Sequence, residues 1–267
     1  MASNAGYGRD VSHVTDAHRE RRIELEGAFN FRDLGGYATA GGGPVRWRRL
    51  YRADGIHKLT PADRGRVREL GLATVVDLRT GAELEERGRF PFIGELEGYH
   101  HLPLIDAVWD PATVEEQVAV MSAAELLVFQ YKAMLVEGRA AIAATFELLA
   151  EPGSYPLVFH CAAGKDRTGV VAALVLSLLA VSDADVCHDY GLSREAMERM
   201  MAWIRTNRPE ALDAMVAQPK AILDAPPMAM HLLLDSVRAE FGSVAGYLGD
   251  LGLSSRTLGA VRANLVA

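Results

Sequence analysis

Apolar and polar positions form two kinds of segment that alternate through the first two thirds of the chain. Two short stretches, residues 73–78 and 156–159, are mostly apolar and predict strands that are buried on both faces. Residues 45–51 alternate apolar with basic positions, as a half-buried strand does, and further strands are predicted at 23–29 and 99–104. Helical segments lie between the strands. This alternation predicts an α/β fold with a mainly parallel central sheet flanked by helices.

Capping residues mark several helix boundaries. Thr60 before Pro61 predicts the start of a helix that ends at Gly71. Thr80 and Glu83 have the spacing of a capping box, so another helix is predicted after Thr80. Both helices fall between predicted strands, as the proposed alternation requires.

The second half of the chain is predicted to be mostly helical. Residues 112–149 predict two helices that meet near Gly138, and residues 168–180 are so uniformly apolar that they predict a helix buried on every side. From Ser182 onwards we expect only helices. Residues 194–232 include a methionine-rich amphipathic stretch, for which core packing and a helical lid over a site are both open interpretations.

Length and composition place the chain among ordinary globular proteins. We expect a flexible polar arm at residues 1–20 and a single domain at 21–267, long enough to bury a core without disulfides or metals. There are two cysteines and no zinc-like histidine cluster, so we expect no metal and no cofactor. The longest apolar run, 169–181, is too short for stable membrane insertion, and no signal peptide is visible. A cytoplasmic location is the default expectation.

Charge is distributed unevenly. The net charge is −7; residues 1–90 carry 16 basic and 13 acidic side chains, whereas residues 91–267 carry 12 and 22. The basic residues of the first part cluster at two places, which are Arg46, Arg48, Arg49 and Arg52, and Arg64, Arg66 and Arg68. We interpret these clusters as a solvated strand edge and a solvated helix face. The acidic second part argues against nucleic-acid binding.

Residues 157–169 combine the features of an anion-binding site. The predicted strand ends at Cys161, and Arg167 follows after five intervening residues, at the start of the predicted buried helix. A loop around a helix N-terminus directs backbone N–H groups to one spot, and the helix dipole adds positive potential there. The planar guanidinium of Arg167 can bind two anion oxygens, and the same field favours the thiolate form of Cys161.

The other loop residues fit this chemistry. The small side chains of Ala162, Ala163 and Gly164 allow the backbone to close around a tetrahedral anion. The hydroxyl of Thr168 could donate a hydrogen bond to the Cys161 thiolate. We therefore expect the whole segment from 162 to 168 to surround the anion.

The motif His-Cys-Ala-Ala-Gly-Lys-Asp-Arg-Thr-Gly at 160–169 resembles the signature of cysteine-dependent protein tyrosine phosphatases, in the form found in the bacterial tyrosine/serine phosphatase family. Asn-Phe-Arg-Asp-Leu-Gly-Gly at 30–36 is similar to that family's N-terminal motif. The resemblance implies a protein tyrosine phosphatase-like fold and a metal-independent phosphatase acting through a phosphocysteine on Cys161. It implies that the substrate phosphate is bound by Ala162, Ala163, Gly164, Lys165, Asp166, Arg167 and Thr168.

A general acid is expected to protonate the leaving oxygen, and three aspartates are candidates. The family has an Asp inside the binding loop, here Asp166, where neighbouring negative charge favours a protonated carboxyl group. In related dual-specificity phosphatases the acid follows the strand that precedes the long helices, which corresponds to Asp106; Asp110 lies four residues further on. We expect Asp166 to be the acid, with Asp106 next and Asp110 third.

Several more residues are expected to support the site. Lys165 is interpreted either as a solvent-facing side chain or as a group that binds an additional substrate phosphate, because phosphoinositide phosphatases often have a lysine in this loop. Asp77 would hold the loop, orient Arg167 or simply cap its strand. Arg52 could contact the substrate. His160 is expected to be buried and to hold the loop through a hydrogen bond to the backbone.

The resulting expectation is a protein tyrosine phosphatase, with phosphoserine, phosphothreonine and phosphoinositides as further possible substrates. Its partner is therefore a phosphorylated protein or a phosphoinositide. Two alternatives stay open. A non-catalytic phosphoprotein-binding module usually lacks the Cys or the Arg that this chain retains, and a rhodanese-like sulfurtransferase rarely has an Arg at this spacing followed by Thr-Gly.

Overall fold

A mainly parallel sheet forms the centre of the computed structural model, in which residues 21–108, 121–211 and 223–267 are described. Its strands are β1 (Arg32–Asp33), β2 (Leu50–Ala53), β3 (Thr74–Asp77), β4 (Gly98–His101) and β5 (Leu157–His160). They lie in the order β1-β2-β5-β3-β4, and each neighbouring pair is parallel except β1 and β2. The predicted α/β fold is confirmed.

Helices cover both faces of this sheet. They are α1 (Asp63–Leu70), α2 (Gly81–Arg87), α3 (Ala123–Glu137), α4 (Arg139–Ala150), α5 (Asp166–Leu178), α6 (Asp183–Gly191), α7 (Ser193–Asn207), α8 (Pro227–Phe241), α9 (Val244–Asp250) and α10 (Ser255–Leu265). After Ser182 the described part of the chain contains helices and no strand, as predicted.

Neighbouring residues of one strand belong to different apolar layers, because successive side chains of a strand point to opposite faces. Val75 and Val158 pack with Val67 of α1 on one face. Val76 and Phe159 pack on the other face with side chains from α3 to α6 and from α8 to α10. Helix α5 lies inside this second layer, and its residues are almost all buried, as the apolar pattern predicts.

Three of the predicted helix boundaries are confirmed. Gly71 ends α1 in the left-handed conformation, with a φ of +62°. Thr80 and Glu83 form both hydrogen bonds of the capping box. Gly138 separates α3 from α4.

Two strand predictions are wrong. Residues 23–29 form no strand; the nearest pairing in this described region is an isolated bridge between Arg22 and Arg32. Of the predicted strand 45–51, only the last two residues belong to β2. The chain turns before β2 because the carboxylate of Asp33 accepts the N–H of Arg48 at 2.7 Å, and Arg48 has a φ of +59°. The alternation of basic and apolar residues here reflects a turn.

The start of α1 also differs from its prediction. The helix begins at Asp63 instead of just after Thr60. The carboxylate of Asp63 accepts the N–H of Thr60 at 2.9 Å and those of Glu26 and Gly27 at 2.7 and 3.0 Å. Asp63 therefore ties the helix start to the N-terminal segment, which the sequence alone did not indicate.

The methionine-rich region supplies core side chains. Met197 of α7 and Met230 of α8 are buried, whereas Met228 is exposed. A lid within 194–232 stays a prediction, and part of that range, 212–222, lies outside the described residues, as does the predicted arm at 1–20. None of the described helices is long and apolar enough to cross a membrane.

Candidate active site

The loop between β5 and α5 lies at the carboxyl ends of the parallel strands, where α/β folds place their ligands. It starts at Cys161, which is 2% exposed, and runs into α5 at Asp166. Gly164 has a φ of +65°, and a Cβ atom there would lie 2.5 Å from the carbonyl oxygen of Ala53. Both the conformation and the close approach of β2 require glycine at this position.

Hydrogen bonds from outside hold the carbonyl groups of the loop. The Nδ2 atom of Asn30 donates to the carbonyl oxygens of Ala163 and Gly164, both at 3.0 Å. The guanidinium of Arg52 donates to the Gly164 carbonyl at 2.8 Å. In a trans peptide the N–H group points away from the C=O group, so these contacts also fix the direction of the N–H groups that follow the two carbonyls.

A buried ion cluster lies behind the loop. Arg32 Nε donates to Asp189 Oδ1 at 3.0 Å, and Arg52 binds the second oxygen of the same carboxylate. Burial opposes the charge of Asp189, but the two guanidinium groups outweigh it and hold the pKa of Asp189 below its usual range. Burial and the charge of Arg32 lower the pKa of Arg52 to about 10. Arg52 is 1% exposed and donates to the Gly164 carbonyl, so it supports the loop; its contact with substrate stays a prediction.

Arg167 is bound by Glu83, a residue that the sequence assigned only to a helix cap. Arg167 donates to Glu83 Oε1 at 3.0 Å and also binds Oε2, which accepts the N–H of Thr80 at 2.9 Å. Burial opposes the charge of Arg167, but the charges of Cys161 and Glu83 outweigh it and raise the pKa of Arg167 above its usual range. Burial also opposes the charge of Glu83, whose pKa is nevertheless lowered by the hydrogen bond from Arg167. Glu83 is therefore the residue that orients Arg167, a role that the sequence left open for Asp77.

Asp77, at the end of β3, binds Arg79 and Tyr99 instead of Arg167. Its carboxylate accepts hydrogen bonds from Arg79 and from the hydroxyl of Tyr99, each at 2.6 Å. The Nε2 atom of His160 lies 3.5 Å from the same carboxylate, and Nδ1 lies 3.2 Å from the carbonyl oxygen of the next residue, Cys161. Burial lowers the pKa of His160, which favours the neutral ring. His160 is buried, and its Nδ1 atom contacts the backbone at the start of the loop, whereas Nε2 has no hydrogen-bond partner among the described residues.

Asp166 is held by groups from several elements. The hydroxyl of Tyr131 donates to Asp166 Oδ1 at 2.6 Å and lies 2.6 Å from the hydroxyl of Tyr190. The ammonium group of Lys165 lies 3.1 Å from Asp166 Oδ1 and donates to the carbonyl of Asp224 at 2.8 Å. Lys165 is 1% exposed, so its interpretation as a solvent-facing side chain is wrong. The side chain of Asp166 is 20% exposed and remains accessible from solvent.

Four further predicted residues are Ala162, Thr168, Asp106 and Asp110. The carbonyl of Ala162 accepts the N–H of Gly55 at 3.0 Å. The hydroxyl of Thr168 is buried without a hydrogen-bond partner among the described residues, so its predicted bond to the cysteine is not formed here. Asp106 is exposed on the loop that follows β4, and Asp110 lies outside the described residues.

Comparison with known proteins shows the family to which the chain belongs. The sequence model of the tyrosine phosphatase family matches residues 23–267, which is most of the chain. This chain belongs to the tyrosine phosphatase family. The phosphatase is 29% identical to the triple specificity protein phosphatase PtpB of Mycobacterium tuberculosis, and the match covers 91% of this chain and 98% of that protein.

Two further relatives carry similar names. The phosphatase is 32% identical to a Cupriavidus necator protein provisionally named a tyrosine-protein phosphatase, with 83% of this chain and 80% of that protein covered. It is 25% identical to a tyrosine-protein phosphatase of Nostoc commune, with 79% and 71% covered. The predicted family and enzyme class, a protein tyrosine phosphatase, are confirmed. This result disfavours both the binding-module and the sulfurtransferase alternatives.

Proposed function

We propose that this phosphatase hydrolyses phosphotyrosine through a covalent phosphocysteine on Cys161. The observation that supports the proposal best is the arrangement of the loop: a buried thiol at one end, Arg167 at the other, and carbonyl groups tied outwards between them. Glu83 binds Arg167 and holds its guanidinium group in a fixed orientation. Such fixed donors stabilise a transition state better than mobile ones do.

The reaction has two steps. The thiolate of Cys161 attacks phosphorus, so an S–P bond forms while the P–O bond to the leaving tyrosine breaks and its oxygen takes a proton from the general acid. Water then attacks phosphorus and gives a proton to the carboxylate left by the general acid, the S–P bond breaks, and inorganic phosphate leaves with the thiolate and the acid restored. Arg167 and the loop amides bind the phosphoryl oxygens throughout and supply the positive charge that the transition state needs.

Asp166 is the proposed general acid, and Asp106 is the second candidate. Asp166 belongs to the loop itself and stays accessible, and Tyr131 and Lys165 fix the direction of its carboxyl group. Asp106 lies on the exposed loop after β4, at the same edge of the sheet.

We extend the proposal to phosphoserine, phosphothreonine and phosphoinositide substrates. The relative PtpB is named for triple specificity. The ammonium group of Lys165 lies 3.1 Å from Asp166 Oδ1, and we assign to it the binding of additional negative charge on the substrate. Protein and lipid substrates would then share the site around Cys161.

The nucleophile is tested with the chain's two cysteines. Cys161→Ser should lose nearly all turnover of p-nitrophenyl phosphate and still bind inorganic phosphate, whereas Cys187→Ser should retain activity. Cys187 is a suitable control because it is also buried, and burial raises its pKa to about 11. Mass spectrometry after acid quench should detect a phosphate adduct on Cys161 during turnover. Substantial residual activity in Cys161→Ser, or sulfur transfer from thiosulfate by the wild type, would reject the mechanism.

The acid is identified by comparing two substrates. A general acid matters more for phosphotyrosine than for p-nitrophenyl phosphate, whose leaving oxygen departs readily without a proton. Asp166→Asn should therefore lose more rate on phosphotyrosine and flatten the basic limb of the pH–rate profile. Damage to the loop would instead slow both substrates equally and weaken phosphate binding. If Asp106→Asn discriminates between the substrates and Asp166→Asn does not, the acid is Asp106.

A further inference from the structure

One arginine from each basic cluster of the sequence lines a cavity that is separate from the catalytic loop. Arg48, in the turn before β2, and Arg66 of α1 line one cavity of about 390 Å³ together with Arg22. Because β2 and β5 run parallel, this amino end of β2 lies at the opposite end of the sheet from Cys161. The apolar part of the wall is formed by Ile23, Trp47, Tyr51 and Leu70.

Two carboxylates, Asp33 and Glu69, also line the cavity, so its three arginines are only partly neutralised. Arg66 pairs with Glu69 at 2.7 Å, and Arg22 pairs with Glu24. Among the described residues no acceptor or carboxylate pairs with the guanidinium of Arg48. The left-handed conformation of Arg48 is rare for a side-chain-bearing residue, and the bond from its N–H to Asp33 maintains it.

Tyr51 provides an independent sign of a ligand. The residue is 1% exposed, and its hydroxyl is buried with no hydrogen-bond partner among the described residues. A buried hydroxyl without a partner is destabilising, so phenylalanine would serve better if packing were its only role. Asp33, Arg48 and Arg66 are the charged groups that act on this hydroxyl, and all three line the cavity.

We propose that this cavity binds the phosphate group of a phosphorylated ligand that also has an apolar body. Guanidinium groups bind phosphate oxygens in a planar, two-pronged geometry, and the Tyr51 hydroxyl donates one further bond. The apolar body lies against Ile23, Trp47 and Leu70. This second site does not depend on the proposed catalytic mechanism.

Calorimetric titration of Cys161→Ser with phenyl phosphate tests the proposal, since this variant should not consume the probe. We expect two binding sites, one at the catalytic loop and one at the cavity. Adding Arg48→Ala should weaken the second site by about tenfold or more, the usual effect of losing a charge-assisted contact. Arg46→Ala is the matched control, because Arg46 lies in the same segment, is exposed and does not line the cavity.

Further measurements separate the contributions of the Tyr51 hydroxyl and of the apolar wall to binding at the second site. Tyr51→Phe should weaken the second site while the melting temperature stays equal or rises, because an unpartnered hydroxyl is removed. Inorganic phosphate should bind the second site more weakly than phenyl phosphate if the apolar wall contributes. Arg48→Ala in the wild-type background should retain its kcat for p-nitrophenyl phosphate.

Two results would overturn the proposal: a single site in Cys161→Ser, or equal losses of affinity in Arg46→Ala and Arg48→Ala. Failure of the catalytic mechanism would be visible separately, as activity retained by Cys161→Ser, and would leave the second site in place.

Discussion

The contact between Glu83 and Arg167 predicts a specific catalytic defect in Glu83→Gln. Arg167 has five N–H donors, and the two oxygens of Glu83 use two of them, so three stay available for a phosphoryl group. Glutamine keeps one acceptor oxygen but replaces the other by an NH₂ group that cannot accept. It also suits the third position of a capping box, so α2 should still begin after Thr80.

The size of the defect follows from the type of bond that is lost. A buried hydrogen bond between charged groups contributes about 1.5–3 kcal/mol. Arg167 and Glu83 are 7% and 6% exposed, so solvent screens their interaction little. If the bond acts by orienting Arg167 in the transition state, kcat for p-nitrophenyl phosphate should fall about 10- to 150-fold. Affinity for inorganic phosphate should change less, because a negative charge beside the anion site disappears at the same time.

Steady-state kinetics with phosphate as a competitive inhibitor measure both quantities. Glu85→Gln is the matched control, since Glu85 is exposed on the same helix and undergoes the same change of charge. Circular dichroism should confirm that both variants fold. A kcat for Glu83→Gln within about threefold of the wild type would refute the reasoning, because losing an orienting contact should cost more than that. Equal losses in both variants would indicate a general effect of charge.

Two other contacts give predictions of stability and rate. Asp189→Asn leaves Arg32 and Arg52 buried without their carboxylate and should destabilise the fold by about 3–5 kcal/mol in urea denaturation. Folding lowers the pKa of Asp189. The stability that its carboxylate contributes is therefore fully present above the unfolded pKa of about 3.9 and is lost as the pH falls towards the folded pKa. The difference in stability between wild type and variant should shrink in acid. Tyr131→Phe removes a hydroxyl that holds the Asp166 carboxylate, so turnover of phosphotyrosine should fall more than turnover of p-nitrophenyl phosphate if Asp166 is the acid; equal changes on both substrates would argue for Asp106.

The sequence predicted the parts of this protein that depend on local patterns. The buried strands β3 and β5, the apolar helix α5 and the capping box after β3 all follow from spacing within one segment. The loop from Cys161 to Arg167 could also be predicted locally, because the strand before it, its glycine and the helix after it are contiguous in sequence.

Contacts between distant segments could not be predicted in this way. The capping box fully accounted for Glu83, so nothing in the sequence indicated that its carboxylate also binds Arg167. Asp189 is one acidic residue in an ordinary helix, and only the fold brings Arg32 and Arg52 to it. The strand predicted at 45–51 failed because a carboxylate 15 positions away binds the backbone of Arg48.

The hydrogen bonds behind the loop also affect the order in which the protein can mature. Asn30 lies 133 positions before Ala163, and Arg52 lies 137 positions before Asp189. Contacts of such long sequence separation form late, because much of the chain must be ordered before the two partners meet. During synthesis from the N-terminus, Cys161 leaves the ribosome before Asp189 does. A nascent chain therefore exposes its thiol before the contacts that hold the loop can form, and for that interval the cysteine is open to oxidation.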